Sequence, residues 1–126
     1  MLFRILLVPL LLLACASPPP FAPTGAVPFT PPPVYRTWWA EVEACSGLRG
    51  DFAAVRWQRV PEDQALRMED GTPVAGLWQQ RGNRITLQAP FDGYPRVPKH
   101  EMLHALLRRP GHPPAYFVDR CGREVA

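Results

Sequence analysis

The sequence predicts one small α+β domain: an N-terminal helix, a small and mostly antiparallel sheet of about three strands, a second helix and a short C-terminal helix. Apolar residues recur at helical spacing in two segments and alternate with polar residues in three others. The first 34 residues show neither pattern, which leaves about 90 residues, the size of one domain. We therefore place the folded domain at residues 35–126.

The first helix is predicted from Tyr35 to Cys45, because Ser46-Gly47 follows as a helix end. Apolar residues recur along it at helical spacing: Tyr35, Trp38, Trp39, Val42 and Cys45. This spacing favours a core role for the two tryptophans over a ligand-binding role.

Three segments are predicted strands because β-favouring residues alternate in them with polar ones: Phe52–Val60, Val74–Gln80 and Arg84–Ala89. The turn Arg81-Gly82-Asn83 joins the last two strands. The loop Pro90–Tyr94 then leads to the second helix.

The second helix is predicted from Pro98 to Arg109. Proline suits the first helical turn, and Pro110-Gly111 ends the helix. The helix has apolar side chains for burial: Val97, Met102, Leu103, Leu106 and Leu107. A short final helix is predicted within Pro113–Cys121.

The second helix carries the pattern H-E-x-x-H at residues 100–104. Residues four apart share one helix face, so His100 and His104 can bind the same metal ion. Glu101 can then reach a metal-bound water without being a ligand. This arrangement is typical of zinc hydrolases and predicts one Zn²⁺ ion as cofactor. The alternative is a core helix that carries two histidines by coincidence.

A catalytic zinc site usually has three protein ligands. His112 is the only other histidine, and it follows the helix end directly, where the chain can turn back. We predict His112 as the third ligand. The alternatives are a plain loop histidine, with Asp119 or Glu124 as an oxygen ligand in its place.

Residues 1–14 are predicted to be a secretory signal peptide, with one basic residue before an apolar run too short to span a membrane. Leu12-Leu13-Ala14-Cys15 resembles a bacterial lipobox, which implies cleavage before Cys15 and lipidation of its thiol. The alternatives are a buried apolar helix and an ordinary secreted protein. Lipidation would anchor the protein to a membrane of the bacterial cell envelope.

Three cysteines leave one unpaired in an exported chain. With Cys15 lipidated, Cys45 and Cys121 remain as a pair that an oxidising compartment would join. We predict this disulfide. The alternatives are two buried thiols, or Cys121 as a zinc ligand.

Residues 15–34 are predicted to form a tether behind the lipidated cysteine. Eight of the seventeen prolines lie in residues 16–34, and this composition favours an extended chain without helix or sheet. Such a chain reaches up to roughly 60 Å at about 3.1 Å per residue. It is either a stalk that holds the domain off a membrane or a disordered spacer.

The segment His100–Ala105, followed by Gly111–Phe117, resembles the active site of SprT-like zinc metallopeptidases, which belong to the zincin group. The resemblance covers about the last thirty residues. It implies a minimal zincin-like fold, zinc bound by His100, His104 and His112, and Glu101 as the base. The sequence departs from the family in its shorter interval between His104 and His112, and no zinc ribbon or DNA-binding part can be recognised in it.

In zincins a sheet edge beside the metal helix binds extended substrate. Ile85–Ala89 is the candidate for that strand, and an interior position is equally compatible with its sequence. Tyr116 is a candidate for support of the oxyanion, with core packing as the alternative.

The net charge is +3, and the basic residues are scattered rather than clustered, so no nucleic-acid partner is predicted. We expect a lipid-anchored zinc metallopeptidase that hydrolyses peptide bonds of a peptide or protein substrate through zinc-activated water. A partner protein could complete the small site. The alternative is a non-catalytic envelope lipoprotein, either stabilised by zinc or binding peptides without cleaving them.

Overall fold

The computed structural model describes residues 15–126. The predicted signal peptide, residues 1–14, lies outside the described residues. Residues 15–126 fold as an α+β domain with a four-stranded mixed sheet, four helices and two single 3₁₀ turns at Phe52–Ala54 and Phe91–Gly93. The strands are β1 (Val27–Pro28), β2 (Arg56–Val60), β3 (Gly76–Gln79) and β4 (Arg84–Gln88). The helices are α1 (Val34–Ser46), α2 (Arg96–Leu107), a π-helical segment (Ala115–Arg120) and α3 (Gly122–Val125).

The two long helices lie close to where the sequence predicts them. Gly47 adopts a left-handed conformation (φ 74°) after α1, and its N–H bonds the Glu43 carbonyl, as expected of a glycine that ends a helix. The strand predicted to begin at Phe52 begins only at Arg56. Asp51 accepts a hydrogen bond from the Ala53 N–H (3.0 Å), which caps a single 3₁₀ turn at Phe52–Ala54 instead.

The strand order in the sheet is β1-β2-β4-β3. The two outer pairings are antiparallel, and the central pairing of β2 with β4 is parallel. The segment Ile85–Ala89 is therefore not an edge strand; of the two alternatives for it, the interior one is confirmed. All five of its residues are buried, because α2 covers one face of β4 and other segments cover the second. The open edge beside α2 belongs to β3.

The proline-rich segment contributes to the domain from Phe21 onward, contrary to its prediction as a free tether. β1 pairs with the outer edge of β2, and Phe29 donates its N–H to the Trp57 carbonyl (3.1 Å). Gln79 on β3 donates its side-chain amide to the Phe21 carbonyl (2.7 Å). Proline is compatible with β1 because an edge strand leaves N–H positions unused.

The core lies between the sheet and the helices α1 and α2. Its fully buried members include Tyr35, Val42, Ile85, Leu87, Met102 and Leu103. The tryptophans of α1 belong to this core or pack against it, as predicted. Within residues 15–126, no helix combines the length and the apolarity that crossing a membrane requires.

The predicted disulfide between Cys45 and Cys121 is confirmed, with Cα atoms 5.3 Å apart. It joins the end of α1 to the residue between the π-helical segment and α3. The chain-entropy contribution of a loop of this length is about 4–5 kcal/mol. Cys15 is free and exposed.

Candidate metal centre

The three histidines of the chain meet at one point. His100 and His104 lie one turn apart on α2, and His112 follows the helix end. Arg108 takes a left-handed conformation (φ 56°), which ends α2 and lets the chain turn back over it. The Nε2 atom of His112 lies 3.0 Å from Nε2 of His100 and 3.2 Å from Nε2 of His104. The three residues are therefore close enough to bind one metal ion.

Backbone carbonyls fix the orientation of the two helix histidines. Nδ1 of His100 lies 3.1 Å from the Val125 carbonyl oxygen, and Nδ1 of His104 lies 2.8 Å from that of Arg109. Because a carbonyl oxygen can only accept, each Nδ1 donates its proton. Each neutral ring then presents an Nε2 lone pair to the cluster.

A single proton shared among the three rings cannot give a hydrogen bond to every Nε2 atom of this cluster. A proton on Nε2 of His112 can be donated to His100 or to His104, but not to both at once. Burial lowers the pKa of His104 to about 4 and also lowers the pKa of His100, so both rings are held neutral. Three imidazole nitrogen atoms at these distances form a donor set suited to a metal cation.

Aromatic rings enclose the cluster. The Phe117 ring lies 5.0, 4.7 and 4.7 Å from the rings of His100, His104 and His112, measured between centroids. The Trp78 indole lies nearly parallel to the His104 ring, at 7° and 6.3 Å. Trp78 is itself held by a hydrogen bond from its Nε1 to Oδ1 of Asn83 (2.9 Å). These contacts restrict rotation of the histidine side chains.

Glu101 lies beneath the open edge of the sheet and is only 6% exposed. Burial raises the pKa of its carboxyl group to about 8, and a hydrogen bond from the Trp78 backbone N–H opposes that rise. Gly76 on β3 provides the space for this side chain. A Cβ atom at position 76 would lie 2.8 Å from Cγ and 2.9 Å from Oε1 of Glu101.

The histidines and Glu101 share one cleft. A cavity of about 220 Å³ is lined by all three histidines, Glu101 and mostly apolar neighbours, including Met68, Val74, Leu77 and Trp78. A second cavity of about 360 Å³ adjoins it, since Gly76, His100 and Glu101 line both. The two cavities thus meet at Gly76, His100 and Glu101 and form one continuous cleft.

The other candidate ligands lie elsewhere. Asp119 is exposed and is not in the cluster, Glu124 forms an ion pair with Lys99, and Cys121 is in the disulfide. Tyr116 does not line the cleft; the Arg120 guanidinium lies over its ring and reaches the Ser46 carbonyl at the end of α1. This position gives no support to a role at an oxyanion.

Sequence reasoning missed Gly76, Trp78 and the two carbonyl groups that orient the histidines. An isolated glycine in a strand pattern is a signal of close approach by another group, and it was available at Gly76. The contact between the Val125 carbonyl and His100 could not be predicted from the sequence, because every residue has a backbone carbonyl group.

The chain was compared with protein-family models, with curated proteins and with solved structures. No family model matches it, and no curated protein or solved structure matches it either.

Proposed function

We propose that this protein is a zinc-dependent peptidase in which Glu101 acts as the general base. The observation that carries the proposal is the convergence of three orientated imidazole Nε2 atoms and a buried glutamate on one cleft beside an open strand edge. The resemblance of residues 100–117 to zincin active sites agrees with this geometry.

Zinc is the metal that best fits the donor set. Tetrahedral Zn²⁺ with Zn–N distances of about 2.0–2.1 Å holds its nitrogen ligands roughly 3.3 Å apart. The Nε2 separations of 3.0 and 3.2 Å at His112 are close to that value. Three protein ligands leave a fourth position, and this favours a catalytic over a structural site.

The edge of β3 provides a binding surface for an extended peptide. Gln88 donates its N–H to the Ala75 carbonyl (2.9 Å), so these two residues form a hydrogen-bonded pair. Along an antiparallel ladder such pairs alternate with pairs that are not hydrogen-bonded, and the register places Gly76 and Trp78 in pairs of the second kind. Gly76 and Trp78 therefore direct their backbone groups away from β4. Glu101 accepts from the Trp78 N–H, and the remaining groups, both of Gly76 and the Trp78 carbonyl, can pair with a substrate chain.

The reaction we infer is hydrolysis of a peptide bond. Zinc held by His100, His104 and His112 would supply a Lewis acid that lowers the pKa of a water molecule and polarises the substrate carbonyl. Glu101 accepts the proton from the attacking water and passes it to the leaving amine. The carbonyls of Val125 and Arg109 keep His100 and His104 in the required tautomer. Apolar walls formed by residues such as Leu77 and Trp78 limit the access of bulk water.

The direct test is metal-dependent cleavage of an unstructured polypeptide by the purified, disulfide-bonded protein. We expect cleavage with bound zinc, its loss on chelation by phenanthroline, and its return when zinc is added back. The His104→Ala variant under the same zinc concentration should be inactive. Cleavage that survives chelation would contradict the proposal. Tight zinc binding without cleavage would favour the alternative of a non-catalytic zinc-stabilised or peptide-binding lipoprotein.

We also infer that the protein is exported and lipid-anchored in the bacterial cell envelope. A disulfide is typical of oxidising compartments, and it leaves Cys15 as the odd cysteine, exposed at the start of the described chain. We expect a bacterial host to incorporate a labelled fatty acid into the wild-type protein but not into the Cys15→Ala variant. Equal labelling of the two proteins would rule out this anchor.

A further inference from the structure

His100 differs from His104 in what orients it. His104 is held by the carbonyl of Arg109, which is five residues away, just after the end of the same helix. His100 is held by the Val125 carbonyl, 25 residues away, in α3. The orientation of His100 therefore depends on how firmly the C-terminal segment, residues 115–126, is fixed to the rest of the domain.

The C-terminal segment has two contacts with the metal-binding residues. Phe117 packs against all three imidazoles, and Val125 supplies the carbonyl to His100. Its helices, Ala115–Arg120 and Gly122–Val125, are six and four residues long. Helices this short are not stable on their own, so contacts with other elements must hold them in place.

The firmest of these contacts is the Cys45–Cys121 disulfide. Cys121 lies four residues after Phe117 and four before Val125, midway between the two contacts with the histidines. Lys99, which precedes His100, adds ion pairs to Glu124 of α3 and to Glu41 of α1. Arg120 donates to the Ser46 carbonyl (2.9 Å). The disulfide, the Lys99–Glu124 ion pair and the Arg120 hydrogen bond join the C-terminal segment to α1 or to α2, and the Lys99–Glu41 ion pair ties these two helices together.

We propose that the Cys45–Cys121 disulfide is a positioning element of the metal centre: it holds Phe117 and the Val125 carbonyl against the histidines and thereby sets the metal affinity. The inference rests on the metal site of the proposed function, but it concerns metal binding rather than catalysis. Loss of groups that orient metal ligands typically weakens binding 10- to 100-fold.

The test compares the zinc dissociation constants of the wild type and of the Cys45→Ala/Cys121→Ala variant, measured by competition with a chromophoric chelator. The temperature is chosen so that circular dichroism shows both proteins fully folded. We expect zinc binding about 10- to 100-fold weaker in the variant. Val60→Ala is the matched control, because it removes buried volume from β2 and stability from the fold without touching the C-terminal segment. Its zinc affinity should stay within about twofold of the wild type.

A second variant keeps the test decisive if the cysteine variant does not fold. Deletion of residues 123–126 retains the disulfide and removes the Val125 carbonyl, and it should also weaken zinc binding. Where the cysteine variant does fold, combining the deletion with the cysteine substitutions should weaken zinc binding by less than the sum of the two effects, since both act on the same segment. Unchanged zinc affinity in either folded variant would overturn the positioning role. Failure of the wild type to bind zinc would instead overturn the metal site itself.

Discussion

Glu101→Gln is expected to lower the rate of peptide hydrolysis by about 10²- to 10⁴-fold, the usual contribution of a general base. Glutamine has the shape of glutamate and retains an oxygen that can accept from the Trp78 N–H, so the fold and the cleft are preserved. It cannot take a proton from water. Zinc affinity should change by no more than a few fold, because Glu101 is not one of the three clustered histidines.

The measurement is kcat/KM on an unstructured polypeptide, with the zinc content of each preparation determined in parallel. Glu69→Gln serves as a control because it makes the same chemical change at an exposed position. Full activity in the zinc-loaded Glu101→Gln protein would remove Glu101 from the mechanism. Loss of zinc together with activity would show that the carboxylate contributes to metal binding.

Gly76→Ala is expected to lower kcat/KM about 100-fold while zinc remains bound. The added Cβ would lie 2.8 Å from Glu101 Cγ and 3.2 Å from its Cδ. The first of these distances is shorter than the contacts that real Cβ atoms make. The glutamate must therefore move, and a displacement of about 1 Å at a reacting group can cost 10²-fold in rate. The three atoms nearest to the new methyl group all belong to Glu101, so we expect the histidines to keep their geometry.

Gly93→Ala is the matched control, because nothing lies within 4 Å of a Cβ atom at position 93. A Gly76→Ala variant that keeps more than half of the wild-type activity would show that Glu101 tolerates displacement, or that it has no part in the reaction. The rate of the Glu101→Gln variant would distinguish the two explanations, because it falls only if Glu101 takes part in the reaction.

The parts of this protein that could be predicted from sequence are those encoded locally. The helix pattern around residues 100–104 places two histidines on one face whatever surrounds it. His112 follows because few residues separate it from the helix end. The disulfide is not local, and its prediction followed from the number of cysteines together with the expectation of export.

The parts that could not be predicted depend on neighbours distant in the chain. Strand order is one example: the alternation in Arg84–Gln88 predicts a strand but not that β2 and β3 lie on either side of it. The pairing of Val27–Pro28 is another, because prolines obscure a strand that tertiary contacts create. The Val125 carbonyl reaches His100 only through the folded C-terminal segment.

The folding of residues 21–29 onto the sheet shortens the reach of the domain. Of the predicted tether, Cys15–Pro20 remains as an exposed segment that does not pack on the domain. Six extended residues span about 20 Å, whereas a tether of twenty residues would span roughly 60 Å. With the lipid on Cys15 inserted in a bilayer, the cleft would reach only a thin layer next to the lipid headgroups. Polypeptides that bind the cleft would then be selected by their location as well as by their sequence: chains held at the same surface would meet the cleft often, and freely diffusing chains seldom.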